Sequence, residues 1–334
     1  NDPYWGQQWN MEYIGANIAW DIITATDDVV VAVLDAGFDS YHPDLATNTW
    51  LNHNELPDNG IDDDSNGKVD DVLGWDPLDG DNYPLPASSE GHGTNCAGIM
   101  GAVGNNGTGV SGLAWSTSLM NIRVLSYNRG DAFSLTEGLL YAGINGASLV
   151  NVSLALDSPN AMVLEALQEL EAQGIIVVVA AGNDASNTDF FPSYPASYDL
   201  SNIITVAAST TSDELASFSN YGINSVDIAA PGQFVQTTST DLGYTSASGT
   251  SIAAPHVTGT LALYRSLQPE LPYTTVIQRL LGTTDSITAL DGLVLNSGRL
   301  NAGRLISLTQ CEEGRFGYDC APCTCLHGTC DDGL

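Results

Sequence analysis

Four short apolar runs punctuate the chain: Val29-Val30-Val31-Ala32-Val33-Leu34, Leu149-Val150-Asn151-Val152-Ser153, Ile175 to Ala181, and Ile203-Ile204-Thr205-Val206-Ala207. They are rich in β-branched residues and apolar at successive positions instead of alternating, which predicts strands covered on both faces, as in a parallel sheet. Segments of helical period lie between them. Residues 161–173 place Val163, Leu164, Leu167 and Leu170 on one stripe, and Gly174 is positioned to end that helix before the next strand. A second helix is predicted over about 251–267. Strands alternating with helices predict an α/β domain, a three-layer, doubly wound and mainly parallel sheet, over residues 1–309. At about Gln310 Cys and Gly take over, so residues 310–334 are read as a separate Cys-rich segment.

Composition narrows the functional classes. A chain of 334 residues can bury roughly three-quarters of its unfolded surface, enough for one large packed domain. Eight Lys+Arg stand against 40 Asp+Glu, a formal net charge of −32. Such a surface repels phosphate backbones and anionic headgroups, which argues against nucleic acid or an anionic membrane as main partner and favours cations. The strongest apolar run, Ile175 to Ala181, falls far short of the ~18 residues of a spanning helix, so no transmembrane segment is expected. The opening Asn1-Asp2-Pro3, without Met or a basic and apolar leader, is read as that of a mature form after removal of a signal and a pro-segment. Five of the six Cys lie in the last 24 residues, spaced C-x8-C-x2-C-x-C-x4-C from Cys311 to Cys330. This density predicts an oxidising, extracytoplasmic setting, and the odd number predicts a disulfide module that continues beyond residue 334.

Three polar segments lie where such a sheet places chemistry, at carboxyl ends of strands and amino ends of helices. Asp35 directly follows the first run in Val33-Leu34-Asp35-Ala36-Gly37-Phe38-Asp39, so rigid backbone fixes its carboxylate. His92 lies in Glu90-Gly91-His92-Gly93-Thr94-Asn95-Cys96-Ala97-Gly98, whose small residues let a helix approach the sheet and bring the imidazole to Asp35. Ser251 lies in Ser248-Gly249-Thr250-Ser251-Ile252-Ala253-Ala254-Pro255-His256-Val257, which predicts a tight turn at glycine, Pro255 in a first helical turn and the serine at a helix N-terminus. The order Asp, His, Ser with these flanks, and Ala180-Ala181-Gly182-Asn183 ending a buried run, resembles the subtilisin-like serine proteases, the subtilases, over residues 1–309. Asn1-Asp2-Pro3-Tyr4, His42-Pro43-Asp44-Leu45 and Gly74-Trp75-Asp76 are similar to segments of the thermitase-type, calcium-rich members of that family.

The resemblance implies a subtilisin-like fold with a catalytic set of Asp35, His92, Ser251 and Asn183. Ser251 Oγ is a poor nucleophile until His92 takes its proton, and Asp35 would hold the imidazole in the needed tautomer and stabilise its charged form. Asn183 and the Ser251 backbone N–H would donate to the oxyanion. The family also implies a cleft where an extended peptide pairs with two strand edges, Arg129-Gly130-Asp131 and Ser153-Leu154-Ala155, with Ala180, Ala181 and Gly182 also assigned to substrate binding. Some positions depart from the family pattern. Ala155 replaces a glycine and narrows the wall of the S1 pocket, which takes the side chain before the cleaved bond. Arg129 and Asp131 stand where small residues are usual, and Ala36 replaces a Thr or Ser that would donate to Asp35. Cys96 is expected to be a small buried hydrophobe and not a nucleophile. Tyr194-Pro195 is similar to a family turn with a cis peptide bond.

Nine of the 29 Asp fall between Asp58 and Asp81, too dense for a merely solvated face. Asp62-x-Asp64-x-Asn66-Gly67-Lys68-x-Asp70 offers oxygen at positions 1, 3, 5 and 9 of a calcium loop, Gly at 6 and the Lys68 carbonyl at 7. Leu73 stands where the glutamate of position 12 belongs, so Asp71 or a distant carboxylate must complete the shell. The family resemblance implies two more calcium sites. One uses Asp2, Asp44, Asn106 and Thr108 with the carbonyls of Val103 and Val110, tying the N-terminus to the loop 104–109. The other uses Asp76, Asp79 and Asp81 with carbonyls near Tyr83 and Leu85. Two or three Ca²⁺ ions are therefore expected.

In the tail, Gly314-Arg315-Phe316-Gly317-x-x-Cys320 and Cys323-Thr324-Cys325-Leu326-His327-Gly328-Thr329-Cys330 resemble the opening of an EGF-like module, with a zinc knuckle as the rival reading. These features together predict a secreted, calcium-dependent serine endopeptidase acting on proteins or peptides, inhibited before maturation by a pro-segment and tethered through its tail. The alternative, a non-catalytic calcium-binding or adhesion protein on the same fold, is opposed by the intact set Asp35, His92, Ser251 and Asn183.

Overall fold

Alternation of side chains across the central strands builds two cores back to back. Val29, Val31 and Val33 face one side of the sheet and Ala32 and Leu34 the other, while Ile176, Val178 and Ala180 oppose Val177 and Val179 in the same way. Strands so buried on both faces have no polar side, which is why their sequences read as unbroken apolar runs.

The computed structural model describes residues 1–310 other than 88, 127, 128 and 157, together with a short strand pair, Arg315–Phe316 and Ala321–Pro322. The EGF-like and zinc-knuckle readings of 310–334 otherwise lie outside the described residues. In chain order the domain forms α1 (Trp9–Tyr13), α2 (Ala16–Trp20), β1 (Ala25–Asp35), β2 (Gly74–Trp75), α3 (His92–Gly101), β3 (Ser116–Arg123), β4 (Leu125–Ser126), β5 (Arg129–Gly130), α4 (Ala132–Ile144), β6 (Leu149–Val152) and α5 (Ala161–Ala172). There follow β7 (Ile176–Ala180), β8 (Ile203–Ser209), β9 (Ile228–Pro231), β10 (Val235–Ser239), β11 (Gly243–Ala247), α6 (Thr250–Leu267), α7 (Tyr273–Gly282), β12 (Asp285–Ser286), β13 (Gly298–Arg299) and α8 (Ala302–Ser307).

A nine-stranded sheet runs β12-β13-β9-β8-β7-β6-β1-β3-β2, parallel throughout except for the β12–β13 edge. β1 has β3 on one side and β6 on the other, so the strand order reverses around it. A crevice opens at the carboxyl end of a sheet at such a reversal. α4 and α5 cover one face, and α3 and α6 are the main helices on the other. The fold expectation is met in its α/β, mainly parallel sheet. α6 is unusual for a surface-layer helix: every residue from Thr250 to Tyr264 is buried.

Local signals explain the helix ends near the site. Asn160 caps α5 by accepting from Met162 N and Val163 N, at 2.9 and 3.3 Å. Gly174 ends it with a φ of 77°, and the next N–H, that of Ile175, returns to Leu170 O at 2.9 Å. The buried stripe is Val163, Ala166, Leu167 and Leu170; Leu164 is only half-buried, because the i, i+3, i+4, i+7 spacing runs through Ala166. The Tyr194-Pro195 bond is cis.

Candidate active site

β1 ends in Asp35, fully buried, whose Oδ1 accepts from the backbone N–H of Ala36 at 2.7 Å. α3 starts at His92, and Gly93 lets it pack against the sheet: a Cβ at 93 would lie 2.2 Å from the Gly37 carbonyl oxygen and 3.1 Å from Asp35 Cβ. His92 Nδ1 stands 2.7 Å from Asp35 Oδ1 and 3.0 Å from Oδ2, while Nε2 stands 2.9 Å from Ser251 Oγ. Because a carboxylate only accepts, the proton belongs on Nδ1, which leaves Nε2 free to accept from the serine. The charge of Asp35 raises the His92 pKa above its ordinary 6.5, against the opposing effect of burial.

Ser251 lies in the first turn of α6, and Pro255 is inside the helix instead of in that turn, a correction to the sequence reading. Proline there cannot donate to the carbonyl four residues back, which is that of Ser251. The freed Ser251 carbonyl accepts from Cys96 Sγ at 3.2 Å and Ser153 Oγ at 3.3 Å. Cys96 is fully buried, and burial pushes its thiol well above the ordinary range, so it serves as a donor under the serine. Asn183 is turned by Thr250, whose N and Oγ1 both donate to Asn183 Oδ1, at 2.9 and 3.1 Å. Its amide nitrogen is thereby directed away from Thr250. Gly249, at φ 154°, keeps the intervening space clear, since a Cβ there would lie 2.8 Å from Ser251 Oγ and 3.7 Å from Asn183 Nδ2.

A cleft of about 550 Å³ opens beside these groups. It is lined by His92, Ser251, Asn183 and, among the residues assigned to substrate from sequence, Gly130, Asp131, Ser153, Leu154, Ala155, Ala180 and Gly182. Ala181 is not in it. That residue is fully buried beside Ala207 and Ala229, facing away as alternation along an extended segment requires. The Arg129 backbone pairs with Ser126 in the β4–β5 ribbon, and its side chain lies outside the described residues. Asp131 caps α4, its Oδ1 accepting from Ser134 N at 2.8 Å and Ser134 Oγ at 3.1 Å. Val124, Leu125, Leu156, Asp184 and Thr250 also line the cleft and were not anticipated. Leu156, Asp184 and Thr250 directly adjoin motif residues, which was the available signal.

The acidic segments separate into three outcomes. Asp62 and Asp64 come together with Glu55, which the sequence reading missed, their ligand oxygens lying within 4.8 Å of one another. Glu55 is thus a carboxylate from outside the Asp62–Asp70 pattern that lies beside two of its members. Asn66 Nδ2 donates to Asp71 at 3.0 Å, Lys68 turns its side chain to Glu137, and Asp70 turns its carboxylate to the N–H groups of Asn59 and Gly60, both at 3.0 Å. At the N-terminus, Asp2 accepts from Asn105 N at 2.7 Å and Gly107 N at 3.0 Å. Asp44 accepts from Asn106 Nδ2 at 2.9 Å and Val110 N at 3.1 Å, and its carbonyl accepts from Val103 N at 2.8 Å. Thr108 N donates to Asn106 Oδ1 at 2.7 Å, so Asp44, Val103, Asn106, Thr108 and Val110 are joined by hydrogen bonds, while Asp2 reaches the same loop through Asn105 and Gly107. The third set differs: Arg123 pairs with Asp76 and, at 2.6 Å, with Asp79, while Asp81 caps Tyr83 N at 2.9 Å. A guanidinium stands where a cation was expected.

Thermitase of Thermoactinomyces vulgaris is 40% identical to this chain over 268 residues, 80% of this chain and 85% of thermitase. The extracellular protease of Xanthomonas campestris pv. campestris is 35% identical over 310 residues, 85% of this chain but only 52% of that protein. Among solved structures, the chain resembles that of a protease from Pseudoalteromonas arctica, with a TM-score of 0.73 and 28% identity, covering 92% of this chain and 99% of the other. The pattern of the subtilase family matches residues 26–302, from the first strand to the start of the last helix of the domain. This chain therefore belongs to the subtilase family and is a subtilisin-like serine protease.

Proposed function

We propose that the chain is a secreted endopeptidase that cleaves peptide bonds through an acyl-enzyme on Ser251, with Asp35, His92 and Asn183 in the roles the family implies. The supporting observation is the continuous path from Asp35 through His92 to Ser251 Oγ, with contacts of 2.7 and 2.9 Å at the edge of an open cleft. Ser251 Oγ attacks the substrate carbonyl carbon as its proton passes to His92 Nε2, and the oxyanion is met by Asn183 Nδ2 and the Ser251 N–H. His92 then protonates the leaving amine as the C–N bond breaks. A water attacks the ester carbonyl and gives its proton to Nε2; that proton passes to Ser251 Oγ as the ester C–O bond breaks, which releases the acid product and regenerates the serine. Substrate is held by main-chain pairing to Gly130 and to the segment Ser153–Ala155. A fluorophosphonate probe tests the reading. Labelling of Ser251, located by mass spectrometry and lost in His92→Ala, is expected; a folded protein that takes no label would overturn it.

Calcium fits two of the three acidic sets. Asp62, Asp64 and Glu55 present hard oxygen donors with no cationic side chain among them, and Asp2 and Asp44 are buried carboxylates that meet only neutral donors among their described hydrogen bonds. Asp62, Asp64, Asn66 and Glu55 would hold one ion, and Asp2, Asp44, Asn106, Thr108, Val103 and Val110 another. Bound only by the folded chain, such ions would stabilise it. The set Asp76, Asp79 and Asp81 does not fit, because Arg123 already neutralises two of its members.

A further inference from the structure

A second cavity, of about 460 Å³, lies at the amino edge of the sheet, the end opposite the catalytic cleft. Val29 early in β1, Ser148 just before β6 and Ile175 just before β7 line it, together with Arg265 and Ser266 from the end of α6. Arg265 and Ser251 share α6, and a rise of ~1.5 Å per residue sets them roughly 20 Å apart.

Arg265 is half-buried, and its charge is unanswered. Nη1 donates to the Leu271 carbonyl at 2.5 Å and Nη2 to the Gly174 carbonyl at 3.4 Å, while Nε is buried with no partner among the described residues. Carbonyls satisfy N–H groups but carry no net charge, and the carboxyl end of α6 supplies only about half a negative charge. Burying a cation without a counter-ion is costly. Lys68, Arg123, Arg299 and Arg304 each pair with a carboxylate. Arg265 has no such pair among the described residues, although the chain holds 40 Asp+Glu against 8 Lys+Arg. Burial lowers its pKa, and no neighbouring acid acts to raise it.

The rest of the lining defines what can supply the missing charge. Each Nη of Arg265 keeps a second N–H, and Ser148 and Ser266 bring hydroxyl donors. The Tyr273 hydroxyl is engaged with Ser201 at 2.7 Å, and its ring lies over Gly174, where a Cβ would be 3.8 Å from Cδ1. With Leu271 and Pro272 that ring offers apolar surface. Asp28, exposed at the rim, opposes a doubly charged anion such as phosphate. A carboxylate meets these terms, being singly charged, planar and matched to the guanidinium fork. We propose that this cavity binds a small monocarboxylate with an apolar body, its carboxylate on Arg265 and its body against Leu271, Pro272 and Tyr273. A free acid and the carboxyl end of a short peptide share this chemistry. The site does not depend on the role given to Ser251.

The test is calorimetric titration of the full chain with 3-phenylpropionate, its neutral amide, N-acetylphenylalanine and inorganic phosphate. Wild type is expected to bind 3-phenylpropionate but neither the amide nor phosphate. Arg265→Gln should weaken that binding about ten- to a hundredfold, the range of a charged hydrogen bond. Because this change also removes two contacts to carbonyls, Ser266→Glu serves as the second variant: it brings an acid into the cavity, leaves Arg265 in place and should abolish binding in a protein that circular dichroism shows to be folded. Binding of N-acetylphenylalanine with the same sensitivity to both variants would support the proposal with peptide ends as the source, and binding of 3-phenylpropionate alone would support it with free acids. No binding of 3-phenylpropionate to wild type would overturn the proposal. Equal binding of acid and amide, or binding unchanged in folded Ser266→Glu, would overturn it too, by placing the ligand elsewhere or removing its charge from the recognition.

Discussion

His92 connects two groups of opposite demand. The charge on Asp35 raises the imidazole pKa above 6.5, so its proton is retained to higher pH than in a free histidine. Since Nε2 must be unprotonated to accept from Ser251, kcat/KM is expected to fall as pH drops through a value above 6.5, and pH–rate profiles would show this acid limb. Asp35→Asn should move the limb downward and lower kcat by about 10⁴-fold. The sign for stability is the reverse of that for activity. A raised folded-state pKa contributes stability that is fully present below 6.5 and fades as pH rises through the folded value. Asp35, His92 and Ser251 were legible because Asp35 directly ends an apolar run and His92 and Ser251 lie in contiguous runs of small residues with a clear backbone role. Asn220 and Arg123 were not, since they act on partners 36 and 47 residues away, on Asp184 and Asp76, and nothing local distinguishes them from ordinary polar residues.

Among the elements, the 52–73 loop makes the strongest claim on metal. Its carboxylates are gathered by Glu55, which accepts from the N–H groups of Asp63, Asp64 and Asp70 at 2.7, 3.1 and 3.0 Å. The loop is fastened to α4 by Lys68 to Glu137 and by the Tyr141 hydroxyl to Asp71. Chelation is therefore expected to lower the thermal midpoint and to direct the first proteolytic nick into residues 52–73. Calcium at ~100 times Kd would contribute about 2.7 kcal/mol per occupied site. Asp62→Asn with Asp64→Asn should remove the part of the calcium response due to this loop, measured by calorimetry with and without chelator. Strands β6, β7 and β8 could be read from sequence because burial on both faces makes them mostly apolar, with Asn151 in β6 and Thr205 and Ser209 in β8 as buried exceptions. β3 escaped notice because Ser116, Thr117, Ser118 and Asn121 interrupt its apolar residues, although Asn121 is fully buried and donates to the Phe38 carbonyl at 2.9 Å. α4 escaped for a related reason: Ser134, Thr136 and Gly138 lower its helical propensity, and packing under β1 and β3 overrides that.

At the scale of the whole molecule, the mainly parallel sheet and the crevice at its reversal follow from the alternation of apolar runs and helices, whereas the pairing order of the strands does not. The feature with the widest reach is α6, buried on every side from Thr250 to Tyr264, with the proposed nucleophile Ser251 in its first turn. A segment with no solvent-facing side cannot loosen alone, since opening it would expose both the sheet and the helices packed around it. The amide protons of its interior turns are thus expected to exchange with deuterated water only when the entire domain opens, at the slowest rate in the protein. Loss of catalytic power on heating should then track global unfolding in a single step, and fast exchange at Leu261 in a fully active sample would contradict this. An enzyme with this construction carries its own folding gauge: each active molecule is one whose interior is intact.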